Sequence, residues 1–258
     1  MVLFIVRGGD NTSKVWYSSL NADGTLGSWQ KTTSLPVEVY GHQCFTANGF
    51  VYCAGGGTSK IWYALLNANG SLSSWQETTS LPYAVYYHQC ITANGFVYCL
   101  GGYAHNKRLE VWYASLNYDG SLGNWQETTS LPYAIDSHQC STVNGFVYCS
   151  GGYANNGKSS QVWNTALKAN GSLGEWQRTT SLSYAVERHQ CFTTNGYIYC
   201  IGGYKNGYNT QDVLIQFNPF ITIPTHPDGN KWYITNNCEF SLSNQLKTPY
   251  GLYYRAAA

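Results

Sequence analysis

The stretch "HQCFTANGFVYCAGG" at residues 42–56 begins with a histidine, ends with two glycines and carries a cysteine near each end. Near-copies of it begin at His88, His138 and His189. In each copy, two short runs of β-branched and aromatic residues flank an Asn-Gly pair. Asn-Gly favours a tight hairpin turn because both central positions need a positive φ. The segment therefore predicts a β-hairpin that the chain uses four times.

The hairpin belongs to a longer repeat. Cys44, Cys90, Cys140 and Cys191 follow one another at intervals of 46, 50 and 51 residues, and Gly-Gly occurs five times, at 8–9, 55–56, 101–102, 151–152 and 202–203. An aromatic run such as "KIWYALL" (60–66), a turn such as "NANG" (67–70) and a polar run such as "SWQETTS" (74–80) complete each unit. No segment has a helical period. Four strands in about 45–50 residues is the size of a propeller blade.

Three features together resemble the kelch-repeat β-propeller: Gly-Gly after a strand, an aromatic pair as in "IWY", and a tryptophan about 20 residues after the glycines. The resemblance extends to about residue 217. It implies an all-β propeller of four-stranded antiparallel blades, forming a single domain over 1–258. The blades are expected at about 1–36 with a C-terminal closing strand, 40–82, 86–132, 136–183 and 187–235.

Five blades closed by the C-terminal segment are favoured, because closure removes the free edges of the array. "CEFSLS" at 238–243 is a candidate closing strand, since Cys238 lies 47 residues after Cys191. A hairpin about Asn236-Asn237 in a different register is an alternative, and so is a fragment of a larger ring.

Each predicted hairpin brings its two cysteines together. Counting from a two-residue turn at Asn48-Gly49 places Cys44 opposite Cys53 on a non-hydrogen-bonded rung, where Cα atoms approach to about 4.5 Å. The predicted disulfides are Cys44–Cys53, Cys90–Cys99, Cys140–Cys149 and Cys191–Cys200, with Cys238 left as a free thiol. Buried free thiols and a metal site are the alternatives, but the C-x8-C spacing is not that of a zinc site. We expect no metal and no cofactor.

The repeated histidines are assigned a structural role. His42, His88, His138 and His189 recur in every copy, whereas a ligand site seldom needs every copy. Each imidazole is expected to hydrogen-bond the backbone between blades.

One face of the predicted propeller differs from blade to blade. The loops between the second and third strands, and the residues just before each His-Gln, vary in length and chemistry, while the turns on the other face are nearly uniform. Variable loops on a rigid scaffold are where ligand sites are built, although surface loops also drift without function. Tyrosine, carboxylate and guanidinium groups suit a glycan or a protein loop. The candidate ligand-binding residues are Tyr40, Tyr86, Tyr87, Tyr103, His105, Asp136, Tyr153, Glu187, Arg188 and Tyr204.

Composition bears on partners and location. Only 10% of residues are charged and the formal net charge is +1, so a nucleic-acid partner is not expected. No apolar run reaches the roughly 18 residues that span a bilayer. Disulfides favour an oxidising compartment, or the interior of a thermophile. We expect an extracellular or cell-surface location, with any export signal absent from this chain. Asn11, Asn69 and Asn170 are glycosylation candidates.

These observations predict a non-catalytic recognition or adhesion module that binds a glycan or a protein loop on the variable face. A structural subunit of an extracellular filament or coat, formed by self-assembly, is an alternative. A sialidase- or mutarotase-like carbohydrate enzyme is a second alternative, because Asp136 and Glu187 occupy equivalent positions of neighbouring blades and glycoside hydrolysis uses two carboxylates. No other catalytic motif supports an enzyme.

Overall fold

The chain folds into short β-strands over the part that the computed structural model describes, which is residues 2–5, 11–194, 197–205, 207–210 and 212–217. No helix occurs in these residues, as the sequence predicts. In chain order the strands are β1 (Val2–Ile5), β2 (Trp16–Ser19), β3 (Gln30–Lys31), β4 (Gln43–Ala47), β5 (Phe50–Ala54), β6 (Ile61–Leu65), β7 (Gln76–Thr78), β8 (Gln89–Ala93), β9 (Phe96–Leu100), β10 (Tyr103–Ala104), β11 (Asn106–Lys107), β12 (Val111–Ser115), β13 (Gln126–Thr128), β14 (Ile135–Asp136), β15 (Gln139–Val143), β16 (Phe146–Ser150), β17 (Tyr153–Ala154), β18 (Gly157–Lys158), β19 (Val162–Ala166), β20 (Gln177–Thr179), β21 (Gln190–Thr194), β22 (Tyr197–Ile201), β23 (Tyr204–Lys205), β24 (Tyr208–Asn209) and β25 (Val213–Phe217).

The larger strands form five antiparallel sheets in which sequence neighbours are paired. Sheet 1 contains β1, β2 and β3; sheet 2 contains β4 to β7; sheet 3 contains β8, β9, β12 and β13; sheet 4 contains β15, β16, β19 and β20; and sheet 5 contains β21, β22 and β25. The two-residue strands β10 and β11, β17 and β18, and β23 and β24 form small ribbons in the loops after the second strands, and β14 pairs with β17. The first strands of sheets 2 to 5 contact one another in order and make a common inner edge.

The repeated hairpins have the predicted register. Asn48 and Gly49 have φ values of 49° and 81°, as a type I′ turn requires. Cys44 then pairs with Cys53, and their Cα atoms lie 4.2 Å apart. The four predicted disulfides are confirmed, and the remaining three are Cys90–Cys99, Cys140–Cys149 and Cys191–Cys200. Cys238, predicted to be a free thiol, lies outside the described residues.

The hydrophobic core lies between successive sheets. Each buried cluster combines side chains of two neighbouring sheets, as Tyr98 and Leu100 of sheet 3 do with Val147 and Cys149 of sheet 4. The other three clusters fill the boundaries between sheets 1 and 2, 2 and 3, and 4 and 5 in the same way. No sheet encloses a core of its own, so each depends on its neighbour for burial.

A repeated polar contact joins the outer parts of neighbouring sheets. At the boundary of sheets 3 and 4, Thr129 Oγ1 donates to the Leu173 carbonyl oxygen at 3.0 Å, and Thr128 Oγ1 accepts from Leu173 N–H at 2.8 Å. Trp176 Nε1 donates to the Thr129 carbonyl oxygen at 3.1 Å. The "TTS" segments are therefore the edge that receives the next sheet. The same contacts occur for Thr32, Thr33, Leu72 and Trp75, and for Thr78, Thr79, Leu122 and Trp125.

The glycine pairs allow the inner edges of the sheets to approach closely. Gly151 and Gly152 have φ values of 60° and 95°. A Cβ on Gly151 would lie 2.6 Å from His189 Cε1 of sheet 5, and one on Gly152 would lie 2.6 Å from the Cβ of His138. Gly152 N–H donates to the Val186 carbonyl oxygen at 2.7 Å. The pairs at 55–56, 101–102 and 151–152 therefore each lie against the histidine of their own repeat and against the ring of the next repeat's histidine.

The bounds predicted for the individual blades stay predictions. In the described residues, sheet 1 begins with β1, which pairs with β2. Met1–Gln216 form one compact unit. The predicted closing strand near Cys238 and the end of the fifth blade lie outside the described residues, so the number of blades and the closure of the ring stay predictions.

Replacing Gly152 with alanine should destabilise the protein more than replacing Gly145. Both glycines have a positive φ, 95° and 79°, but a Cβ at Gly145 would meet nothing within 4 Å. We expect about 1 kcal/mol of backbone strain in each variant and a further 1–3 kcal/mol from overpacking in Gly152→Ala. Urea unfolding of both variants measures the difference. Equal losses would show that the glycine is needed only for its backbone conformation.

Candidate functional site

The variable loops gather at one end of the inner edge, on a surface that we call the rim. The rim comprises the residues before each first strand and the ribbons after each second strand: Tyr40, Tyr86, Tyr87, Tyr103, Lys107, Asp136, Tyr153, Lys158, Glu187, Arg188 and Tyr204. Three β-bridges or strand pairs join these two segments within a repeat, namely Tyr86 with Tyr103, Asp136 with Tyr153 and Glu187 with Tyr204. The strands thus hold the candidate side chains in equivalent places from sheet to sheet.

A chain of backbone hydrogen bonds runs along the inner side of the rim. Tyr87 N–H donates to the Gly41 carbonyl oxygen at 2.7 Å, and Ser137 N–H donates to that of Tyr87 at 2.9 Å. Arg188 N–H continues the chain to Ser137 at 2.9 Å. All four residues have a positive φ, between 52° and 62°, which is strained for the three that are not glycine. The link between sheets therefore fixes the backbone of Tyr87 and Arg188, two candidate ligand-binding residues.

Both rim carboxylates are already paired with a lysine from the preceding sheet. Lys107 Nζ lies 2.7 Å from Asp136 Oδ2 and 4.1 Å from the ring centre of Tyr153. Lys158 Nζ lies 3.7 Å from Glu187 Oε1, and it also lies over a tyrosine ring. Asp136 and Glu187 are buried. These carboxylates hold neighbouring sheets together in the structure instead of presenting free oxygens to solvent.

The boundary between sheets 2 and 3 has a different composition. Tyr86 occupies the position that is a carboxylate in the next two repeats, and its ring centre lies 6.3 Å from that of Tyr87. Tyr87 packs edge-on against Tyr40 at 5.6 Å, and the Arg188 guanidinium lies 5.6 Å from the Tyr87 ring centre. Burial and then the neighbouring Tyr40 hydroxyl raise the pKa of Tyr87 to about 12, so its phenol stays neutral. The structure thus brings Tyr40, Tyr86, Tyr87 and Arg188 into one cluster, which we call the tyrosine cluster.

The remaining candidates are spread around the rim. His105 lies at the exposed tip between β10 and β11, with a φ of 59°. Tyr103 and Tyr153 are about two-fifths exposed, and Tyr204 is half-buried beneath Lys158. The glycosylation candidates Asn11, Asn69 and Asn170 are all exposed, and Asn69 and Asn170 occupy turns between third and fourth strands.

His88, His138 and His189 are buried and His42 is partly buried, and two of them lack the hydrogen bonds expected of them. In the described part of the chain neither ring nitrogen of His88 or His138 has a partner, whereas His189 Nε2 lies 3.3 Å from Ser150 Oγ. The expected backbone hydrogen bonds are thus wrong for His88 and His138, because the rings instead fill the space above a glycine of the preceding sheet. Burial lowers the pKa of His88 and His138 to about 3, and that of His42 and His189 to about 4.

Sequence reasoning did not identify Lys107 and Lys158 as rim residues. The sequence does contain a signal: the two lysines occupy equivalent positions in their ribbons, in the repeats that precede Asp136 and Glu187 respectively. The sequence alone does not show that a lysine side chain extends across a boundary between two sheets.

Comparison with known proteins supports the fold and leaves the function open. No protein-family model matches the chain, and no curated protein matches its sequence. The solved structure of YjhT, which has a propeller-like fold, is similar with a TM-score of 0.62 over 81% of this chain and 80% of that chain. The two sequences are 13% identical, so the likeness concerns the fold alone. Among the described residues, no helix has the length and apolar character needed to span a membrane.

Acid should destabilise the fold through its buried histidines. Their pKa values are lower in the folded protein than the value near 6.5 in an unfolded chain, so the unfolded state binds protons more readily below that pH. Stability should be full above about pH 6.5 and fall towards pH 3, by up to about 1.4 kcal/mol per pH unit for each histidine. Urea unfolding between about pH 4.5 and 7 measures the slope. His138→Asn should make the slope shallower, and an unchanged slope would contradict this explanation.

Breaking a rim ion pair should cost more than breaking an exposed one. Lys107→Met leaves Asp136 buried without its partner, and the loss should be about 3 kcal/mol. Lys60→Met is the matched control, because the side chains of Lys60 and Glu77 are 50% and 46% exposed and such pairs contribute about 0–1 kcal/mol. Urea unfolding at pH 7 compares the variants. Similar losses would mean that the rim pair does not join the sheets.

Proposed function

We propose that this chain is a non-catalytic recognition or adhesion module, extracellular or at the cell surface, that binds a glycan or a protein loop on its rim. The observation that carries the proposal is a difference between two kinds of rim side chain. Asp136 and Glu187 are already paired with Lys107 and Lys158, whereas the tyrosine rings and Arg188 keep exposed surface that a ligand could contact. Flat rings with a polar edge and a planar guanidinium suit recognition of sugars and peptide backbone.

Arg188 adds a directional cation to this surface. It is exposed, and it belongs to none of the ion pairs found among the described residues. Its contact with Tyr87 holds the guanidinium beside the rings while its N–H groups stay available. The tyrosine cluster thus combines stacking surface with a donor fork, on a backbone that the bonds between sheets have fixed. A site fixed in this way loses little entropy when it binds a ligand.

The pairing of the carboxylates also weighs against a glycosidase. General acid–base work requires a carboxyl group that can reach the substrate and exchange a proton. Asp136 and Glu187 are 7% and 9% exposed and each faces a lysine ammonium group.

The four disulfides favour the proposed location, because such bonds persist in oxidising environments. The exposed Asn69 and Asn170 turns lie away from the rim, so glycans there would leave the tyrosine cluster accessible.

For the scaffold we propose a kelch-like propeller of five blades, closed by the C-terminal segment. Leu72, Leu122 and Leu173 are at most 4% exposed beneath the threonine edge of the preceding sheet, whereas the equivalent Leu26 of sheet 1 is 44% exposed. Trp29 beside it is 43% exposed. Sheet 1 thus carries the leucine and tryptophan half of a boundary that recurs along the chain, and the threonine edge would be the other half. A further edge of the same kind, from residues after 217, would complete it.

Binding to a glycan array tests recognition. Tyr86→Ala, Tyr87→Ala and Arg188→Ala should each weaken binding about tenfold or more, as expected for central aromatic and arginine contacts. Tyr118→Ala is the matched control, because Tyr118 is fully exposed on a turn between third and fourth strands, away from the rim. Circular dichroism confirms that each variant is folded. Turnover of a sialoside that is lost on Asp136→Asn would overturn the proposal in favour of an enzyme.

The exposed leucine and tryptophan of sheet 1 favour one alternative, a structural subunit that assembles with its own copies. At the other end of the array, Phe192 and Ile201 of sheet 5 are 45% and 40% exposed. Sedimentation over a range of concentrations distinguishes the two functions. Assembly that Trp29→Ser prevents, without any glycan or protein ligand for the rim, would favour the subunit. A monomer that binds a ligand through the tyrosine cluster supports recognition.

A further inference from the structure

The geometry points to a zinc site that forms between sheets 4 and 5 when the Cys191–Cys200 disulfide is reduced, with His189, Cys191, Cys200 and Ser150 as its ligands. The histidine nitrogen and the two sulfurs lie within 4.8 Å of one another. Ser150 Oγ lies 3.3 Å from His189 Nε2, 3.4 Å from Cys191 Sγ and 3.7 Å from Cys200 Sγ. Two sulfurs and an imidazole nitrogen, which are preferred zinc ligands, thus converge with a hydroxyl oxygen.

The distances from Ser150 Oγ fit tetrahedral coordination of a zinc ion. Zinc binds nitrogen and oxygen at about 2.0–2.2 Å and sulfur at about 2.3 Å, which places tetrahedral neighbours about 3.3–3.8 Å apart. The three distances from Ser150 Oγ fall in this range. The two sulfurs, which are bonded to each other in the disulfide, have to move apart. Two thiolates, a neutral imidazole and a hydroxyl around Zn²⁺ carry no net charge, which suits a buried position.

The oxygen ligand distinguishes this cluster from its copies. His88 and His138 also lie beside a cysteine pair, but the residues equivalent to Ser150 at those boundaries are Ala54 and Leu100. Neither alanine nor leucine offers a ligand atom. The fourth ligand is therefore a property of the boundary between sheets 4 and 5 and not of the repeat.

The four ligand residues are buried, with exposed fractions of 2–7%. Phe192 and Ile201, which follow the two cysteines and point to the opposite face of their strands, are 45% and 40% exposed. A small cavity lined by Ser150, Cys200 and other side chains adjoins the cluster.

The chemistry takes two steps. A thiol or phosphine reductant supplies two electrons, the S–S bond breaks, and each sulfur gains a proton. Zn²⁺ then displaces both protons as it binds the two thiolates. A disulfide offers no thiolate, so the site requires the reduced form. The site does not depend on the proposed recognition function.

Zinc binding to the full chain tests the proposal in a Cys238→Ser background, which removes the ninth cysteine. Protein treated with a water-soluble phosphine should retain about one equivalent of Zn²⁺ through dialysis, and unreduced protein should retain none. Cys191→Ser/Cys200→Ser should abolish retention, while the matched Cys90→Ser/Cys99→Ser variant should keep it. Ser150→Ala should weaken zinc affinity about tenfold or more, and Ser141→Ala, which changes a serine lining the same cavity, should not.

Circular dichroism accompanies each titration. If reduction loosens the fold, added Zn²⁺ should restore the β-sheet spectrum, and failure to restore it would overturn the proposal. Retention of no zinc by a folded, reduced chain would also overturn it. So would retention that the Cys90→Ser/Cys99→Ser variant loses equally, because the ion would then not distinguish the Ser150 cluster from its copies.

Discussion

The close approach of neighbouring sheets at their glycine pairs is the constraint on which the rest of the structure depends. A side chain at Gly151 or Gly152 would collide with a histidine and with backbone carbonyl groups. With glycine there, the ring of one repeat lies on the backbone of the previous one, and the second glycine bonds the next segment directly. Because the core lies between sheets, this spacing determines how much of it is buried. The Thr-Leu-Trp contacts then set the spacing of the outer strands.

Disulfides and buried histidines restrict the pH and redox conditions in which this fold is stable. Each disulfide closes a short loop within one hairpin, so it strengthens a strand pair without joining two sheets. The boundaries depend instead on packing and on neutral imidazoles. Protonating a ring that lies among backbone and sulfur atoms would place an unpaired charge in the core. Stability near neutral pH and in oxidising conditions is thus a consequence of the repeat itself.

The differences between repeats that bear on the proposed sites are confined to a few positions. The rim has the same backbone in each repeat, yet Tyr86 of sheet 3 stands where sheets 4 and 5 have Asp136 and Glu187. Two boundaries therefore carry an ion pair and one carries the tyrosine cluster. In the interior, Ser150 likewise makes one boundary differ from the others, because its hydroxyl lies beside one of the four histidine–cysteine clusters. A repeat protein gains specific sites by such substitutions because the scaffold does not have to change.

The sequence by itself determined the elements whose causes are local. A two-residue Asn-Gly turn fixes which cysteines face each other, and the repeat of glycines, tryptophans and cysteines predicts four-stranded units without helices. Contacts between repeats were decided only by the tertiary structure. The sequence does not show that Lys107 reaches Asp136 or that Thr129 receives Trp176. Nor does it show that His88 and His138 pack on glycine without hydrogen bonds. Such contacts join residues some 30 to 50 positions apart, and they depend on how two sheets are placed against each other.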